Sequence, residues 1–169
     1  MEADVNHYAP GVLVGCGDYR ISHWRDQRII QVAIDRLAVQ LGFMQEGDED
    51  FPCDRLTTPG PVVPMSKAQA WIVSGSRVTP EMMREAEMLV DQIKMYLSLH
   101  KGELVICLSH FDCGREAENG RNRKILLKHL RAMGRYVRGE IGRKHKVGLI
   151  FVEVRDGKTV DAIPYLLKR

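Results

Sequence analysis

Three residues of this chain are of types that bind soft divalent metal ions, and each stands at or just after the end of an apolar run. His110 closes the run Leu104–Ser109, and Cys113 follows it by three residues. Cys16 closes a second run, which begins at Gly11. Two thiolates and one imidazole favour zinc. Three protein ligands leave a fourth coordination position open for water or substrate, which is the arrangement of catalytic zinc sites.

Both apolar runs have the length of a buried strand, so Cys16 and His110 are predicted to stand at strand ends. In an open parallel sheet the carboxyl ends of the strands share one edge, and ligands bind there. Cys16, His110 and Cys113 are therefore predicted to converge, although the first two are 94 residues apart.

Helix signals alternate with these strands. The first helix is predicted after Asp26, with Gly42 as its stop and a core stripe at Ile30, Ile34 or Ala33, Leu37 and Leu41. Another begins at Thr79-Pro80-Glu81, where a capping hydroxyl, a proline at the first helical position and an early acid coincide. Its stripe has helical spacing and is Met83, Ala86, Val90, Ile93 and Leu97.

The segment from Phe43 to Pro64 is the least regular part of the chain. A short strand is expected at Val62–Val63, followed by a weak helix over Ser66–Val73. A stronger helix is predicted from about Asn122 to Gly139, and its inward residues are Leu126, Leu130, Met133 and Val137.

The C-terminal segment predicts a hairpin. Lys146–Val154 is predicted as a strand, Arg155–Lys158 as a tight turn because Asp-Gly suits positive φ, and Thr159–Ile163 as the returning strand. The whole pattern predicts a single α/β domain over residues 1–169. Its central β-sheet is mainly parallel and flanked by helices, and it ends in an antiparallel hairpin strand.

Composition excludes some classes of protein. A net charge of +3 does not by itself indicate a nucleic-acid partner, and no apolar run approaches the ~20 residues that span a bilayer. The first ten residues lack the features of a signal peptide, so the expected location is the cytoplasm, where thiols stay reduced. Cys107 is interpreted as core packing. Cys53 is interpreted as an ordinary thiol, with a spare metal ligand as the alternative.

Two motifs together resemble those of the β-class carbonic anhydrases: Cys16-x-Asp18-x-Arg20 and His110-x-Asp112-Cys113-Gly114. The C-terminal strand and its glycine turn are also similar to that family. The resemblance implies that Cys16, His110 and Cys113 bind Zn²⁺. It implies that Asp18 accepts a hydrogen bond from the zinc-bound water or occupies the fourth zinc position in a closed, inactive form. Arg20 would pair with Asp18 and hold it off the metal.

The activity implied by the resemblance is that of a carbonate dehydratase, a lyase in which a zinc-bound hydroxide reversibly hydrates carbon dioxide to bicarbonate. A homodimer or higher homo-oligomer is expected as well, since the pocket in this family forms where two subunits meet. The chain departs from the family pattern at Tyr19 and Ser109, and Thr58-Pro59-Gly60 stands in place of the family's Asn-Ala-Gly turn. Two alternatives therefore stay open: hydrolysis of carbonyl sulfide or carbon disulfide, and a zinc-binding protein of this fold with little catalytic activity.

A basic segment lies between the second motif and the last strands. Its cations are Arg121, Arg123, Lys124, Lys128, Arg131, Arg135, Arg138, Arg143, Lys144 and Lys146. One interpretation is a nucleic-acid surface, and the other is a solvated helix face that attracts anions such as bicarbonate. The segment has no interleaved aromatic residues beyond Tyr136, which favours the second interpretation, so no nucleic-acid or membrane partner is expected.

Overall fold

A computed structural model describes residues 9–16, 24–58, 60–113, 122–156 and 158–167. Within these residues five strands and four helices are formed. The strands are β1 (Gly11–Cys16), β2 (Cys53–Thr58), β3 (Leu104–His110), β4 (Lys146–Arg155) and β5 (Lys158–Leu166). The helices are α1 (Trp24–Leu41), α2 (Val62–Ser74), α3 (Pro80–Leu99) and α4 (Arg123–Ile141).

The strands form one mixed sheet in the order β2-β1-β3-β4-β5. The pairs from β2 to β4 are parallel, and β5 runs antiparallel to β4. In β1 and β3, Gly11 is level with Leu104 and Val14 is level with Cys107. The two strands that carry the predicted metal ligands are therefore direct neighbours, and their carboxyl ends lie at the same edge of the sheet.

Helices cover both faces of the sheet, because its strands alternate apolar side chains between the two faces. On one face, Leu104, Ile106 and Leu108 of β3 pack in a core cluster with α1. On the other, Val105 and Cys107 pack in a cluster with α2, α3 and α4. The predicted α/β architecture with a mostly parallel sheet and a C-terminal antiparallel pair is confirmed. Cys107 is fully buried in the core, also as predicted.

The irregular segment differs from its prediction. The strand there is β2, which ends at Thr58, whereas Val62–Val63, expected to form a short strand, are the first residues of α2. β2 lies at the edge of the sheet and carries the polar sequence CDRLTT, with its side chains half-buried or exposed. A strand at the edge of a sheet is less enclosed than a central strand. Its sequence therefore lacks the apolar run from which a buried strand is predicted. Pro61, already in helical conformation, precedes α2, which ends at the left-handed Gly75.

The predicted starts of α3 and α4 agree with the structure, whereas α1 begins at Trp24, before Asp26, and α2 begins at Val62, before Ser66. Thr79 caps α3, and its hydroxyl accepts a hydrogen bond from the Met82 backbone N–H at 3.2 Å. Asn122 caps α4 through a bond from the Ile125 backbone N–H, also 3.2 Å. Within the described residues, no helix is both long enough and apolar enough to cross a membrane.

Gly148 of β4 is required by the close approach of α1. A Cβ added there would lie 2.9 Å from Cγ of the buried Leu37, so the helix or its leucine would have to move. We expect Gly148→Ala to lower the free energy of unfolding by about 1–3 kcal/mol in urea denaturation. The matched control is Gly139→Ala on the exposed face of α4, where an added Cβ meets no atom within 4 Å. That change should instead stabilise the protein by about 0.4–1 kcal/mol. Equal stability of the two variants would contradict the packing argument.

Candidate metal centre

Cys16 and His110 are the last residues of neighbouring parallel strands, which brings them to one edge of the sheet. Alternate residues of a strand share a face, so His110 lies on the same face of the sheet as Leu108. The Cys16 side chain packs against the core cluster on that face, which contains Leu108 and residues of α1. The two residues are far apart in sequence, so this proximity depends on the pairing of β1 with β3.

Cys113 joins them through a tight turn. The Phe111 backbone N–H donates to the Val152 carbonyl at 2.9 Å, which continues the sheet one residue past His110. Asp112 then adopts a left-handed conformation, with φ of 60°. Aspartate tolerates this conformation better than most residues, and the reversal returns the chain to place Cys113 beside His110.

The ligand atoms of Cys16, His110 and Cys113 all lie within 4.8 Å of one another. His110 is 1% exposed and Cys113 is 6% exposed, whereas Cys16 is half-buried. Two of the three residues are thus buried, and the third is partly exposed among the described residues. Among the residues that the structure describes, it is a cluster that can hold a metal ion, as zinc sites do.

A backbone contact orients the histidine. Nδ1 of His110 lies 2.9 Å from the carbonyl oxygen of Phe111, and because a carbonyl only accepts, Nδ1 carries the proton. The buried Nε2 is then the nitrogen available as a ligand. A hydrogen bond from the non-ligating nitrogen to a backbone carbonyl is the usual support of a metal-binding histidine.

The Cys16 sulfur lies in a strongly thiolate-stabilising environment, and its pKa is lowered from 9.0 to about 4. The largest cause is the hydrogen bond with Cys113, opposed by burial and reinforced by His110 and by the backbone N–H of Gly60. Gly60 is buried and has φ of 53°, and it follows the end of β2, where Thr58 is level with Cys16. The turn after β2 therefore supplies an N–H donor to the candidate ligand.

This donor set fits a thiolate-binding metal. Thiolate is the form of cysteine that coordinates metals, and the environment of Cys16 favours that form before any ion is bound. The other two cysteines differ, because burial raises the pKa of both Cys53 and Cys107 to about 12. Cys53 is level with Gly11 at the opposite end of β1 from Cys16, which agrees with its interpretation as an ordinary thiol.

The catalytic pair expected from the resemblance, Asp18 and Arg20, lies outside the described residues, as does Tyr19. Sequence reasoning placed Gly60 in a turn but did not identify its contact with Cys16. The available signal was a glycine after a proline at the end of an irregular segment, which marks a backbone position with special geometry. Comparison with protein-family models, curated proteins and solved structures gave no match.

The basic segment contributes surface and structural contacts. The side chains of Lys124, Lys128, Arg131 and Arg135 are exposed on α4. Arg123 pairs with Glu153 of β4, and its guanidinium lies over the Phe151 ring. Lys146 donates to the Leu41 carbonyl at 2.6 Å and lies 5.0 Å from the Phe43 ring centroid. Arg123 therefore connects α4 to the sheet, and Lys146 connects the sheet to the end of α1 and the loop that follows it.

The lowered pKa of Cys16 predicts a thiolate in the metal-free protein at mildly acidic pH. Thiolate absorbance near 240 nm (a standard probe) should show a step with a midpoint near pH 4 and an amplitude of one thiolate per chain. Because the folded-state pKa is below the ordinary value, this ionisation stabilises the fold most above the ordinary pKa. The contribution is lost as the pH falls through about 4. Cys16→Ala should abolish the step, and a midpoint that stays near 8–9 in the unmodified chain would contradict the prediction.

Proposed function

We propose that this protein is a zinc-dependent carbonate dehydratase of the β-carbonic anhydrase type, which converts carbon dioxide and water to bicarbonate and a proton. The observation that carries the proposal is the convergence of Cys16, His110 and Cys113 within 4.8 Å at the carboxyl edge of the sheet. The motif pair in the sequence supports it, and so does the mostly parallel sheet with a C-terminal antiparallel strand.

In this proposal Cys16, His110 and Cys113 hold the metal and leave one position for water. A zinc ion held by these residues would supply an activated water as the nucleophile for the carbon of carbon dioxide. Two thiolates donate more charge than imidazoles do, so we expect activity to increase toward alkaline pH. The hydrogen bond from Gly60 to Cys16 withdraws some of that charge from the sulfur.

The residues of the first motif complete the proposed mechanism. As the resemblance implies, Asp18 would pair with Arg20, accept a hydrogen bond from the attacking water and orient it. We propose a homodimer or higher homo-oligomer as the active form, since the resemblance implies a pocket between subunits.

Stopped-flow hydration of carbon dioxide at alkaline pH tests the proposal. Zinc-loaded protein should exceed the buffer rate, and the metal-free protein should not. Cys53→Ala is the matched control, because it removes a cysteine of β2 that is level with Gly11, at the opposite end of β1 from Cys16, and should leave the rate unchanged. No rate above buffer for zinc-loaded protein would refute the activity. Turnover of carbonyl sulfide faster than that of carbon dioxide would assign hydrolysis of that substrate in its place.

A further inference from the structure

We propose that Cys16 and Cys113 form a reversible disulfide bond on exposure to hydroperoxides, so that the candidate metal centre is also a site of oxidative modification. The disulfide would add regulation to the site of the proposed function. Only the displacement of a metal ion by the bond rests on that function. Formation of the bond depends on the two cysteines alone.

The two sulfur atoms are close enough for this reaction. They lie within 4.8 Å of each other, and the two side chains are hydrogen-bonded. A disulfide has an S–S distance of about 2.05 Å, so the atoms have to approach by less than about 2.8 Å. Rotation of one cysteine between staggered χ1 positions moves its sulfur by about 3 Å. A side-chain movement therefore provides the required approach.

The backbone around the pair allows that movement. The β1–β3 ladder pairs Gly11–Val14 with Leu104–Cys107, so Cys16 lies beyond the last residue paired with β3 and is level only with Thr58 of β2. Cys113 lies after the end of β3, beyond the turn formed by Phe111 and Asp112. Adjustment of either cysteine leaves the ladder between the two strands intact.

The remaining cysteines are unable to compete. Cys53 is level with Gly11, five residues before Cys16 along β1, which corresponds to about 16 Å along the strand. Cys107 is fully buried in the core cluster with α2, α3 and α4, whereas Cys16 packs against the cluster with α1. Cys16 and Cys53 are both half-buried, but Cys113 is the cysteine that lies within 4.8 Å of Cys16, so oxidation should produce one defined bond.

The reaction balances with a hydroperoxide as the two-electron oxidant. The Cys16 sulfur attacks the terminal peroxide oxygen, an S–O bond forms as the O–O bond breaks, and the alcohol or water leaves with the thiol proton. The Cys113 sulfur then attacks the Cys16 sulfur. The S–S bond forms, the S–O bond breaks and water leaves with the second proton. A dithiol reductant restores both thiols by exchange. The oxidised pair offers no thiolate, so two of the three candidate ligands are lost.

Treatment of the metal-free protein with hydrogen peroxide, followed by mass spectrometry, tests the proposal. The intact mass should decrease by two hydrogen atoms, and the free thiols should fall from four to two. Peptide mapping should join Cys16 to Cys113, and dithiothreitol should reverse the change. The control Cys53→Ala should form the same bond, with its free thiols falling from three to one. Stable oxygen adducts on Cys16, a bond to Cys53 or Cys107, or no reaction would each overturn the proposal.

Zinc-loaded protein separates this inference from the proposed function. As the bond forms, it should release one equivalent of zinc, measured with a chromogenic chelator. If the disulfide forms in a chain that never binds zinc, the proposed function fails and the modification stands. If the chain binds zinc and hydrates carbon dioxide but forms no bond, only the modification is refuted.

Discussion

Replacement of Cys113 by serine should remove zinc from the protein. Serine keeps the size of the side chain but offers no thiolate, and the site would retain only Cys16 and His110 at this edge of the sheet. Zinc binding in protein sites amounts to about 10–16 kcal/mol, or roughly 2.5–4 kcal/mol for each of four positions. Loss of one ligand therefore weakens affinity by roughly 10²–10³-fold. Elemental analysis after purification without chelator should find about one zinc per chain in the parent and almost none in Cys113→Ser.

The control separates ligand loss from unfolding. Cys113 is buried, so a serine there could affect the fold as well as the metal. Metal-free parent and metal-free Cys113→Ser should show similar thermal unfolding, whereas added zinc should raise the melting temperature of the parent alone. Cys53→Ala should keep the parent's zinc content. Full zinc occupancy in Cys113→Ser would show that the ligand assignment is wrong.

Asp18→Asn should slow carbon dioxide hydration by about 10²-fold or more while zinc stays bound. The amide has the shape of the carboxylate and its oxygen still accepts a hydrogen bond, but it has no negative charge with which to take a proton or form an ion pair with Arg20. The effect should appear in kcat, because the group acts on the nucleophile rather than on the uptake of a small neutral gas. The measurement is stopped-flow kinetics together with zinc content of the same sample.

A matched substitution gives the baseline for Asp18→Asn. Asp91→Asn makes the same chemical change on the exposed face of α3 and should leave both zinc content and rate unchanged. If Asp18→Asn keeps the parent's zinc and the parent's rate, Asp18 has no part in the reaction. Loss of zinc in that variant would instead make Asp18 a ligand in the metal-bound form.

Local features of the fold were readable from the sequence because they depend on near neighbours. The cap at Thr79 and the cap at Asn122 each require only a hydroxyl or amide within three residues of a backbone N–H. The core stripe of α3 follows from helical spacing, and the apolar run of β3 is buried at every position, as its composition predicted.

The identities of the three candidate ligands were also readable, because cysteine and histidine at strand ends are unusual side chains for those positions. Their convergence required one further fact, the pairing of β1 with β3, which is a contact between residues about 90 positions apart. The general rule that carboxyl ends of parallel strands share an edge made that convergence predictable in outline.

Only the tertiary structure decided where β2 lies and that the turn after it donates a hydrogen bond to Cys16. CDRLTT has no apolar alternation, and it becomes a strand because the edge of β1 offers it a ladder of hydrogen bonds. That pairing sets Thr58 level with Cys16 and carries the Gly60 N–H to the Cys16 sulfur. The sequence by itself determined which side chains can bind a metal. The long-range pairing of three strands determined how those side chains are enclosed, oriented and charged, since hydrogen bonds between distant strands leave no periodic signal in the chain.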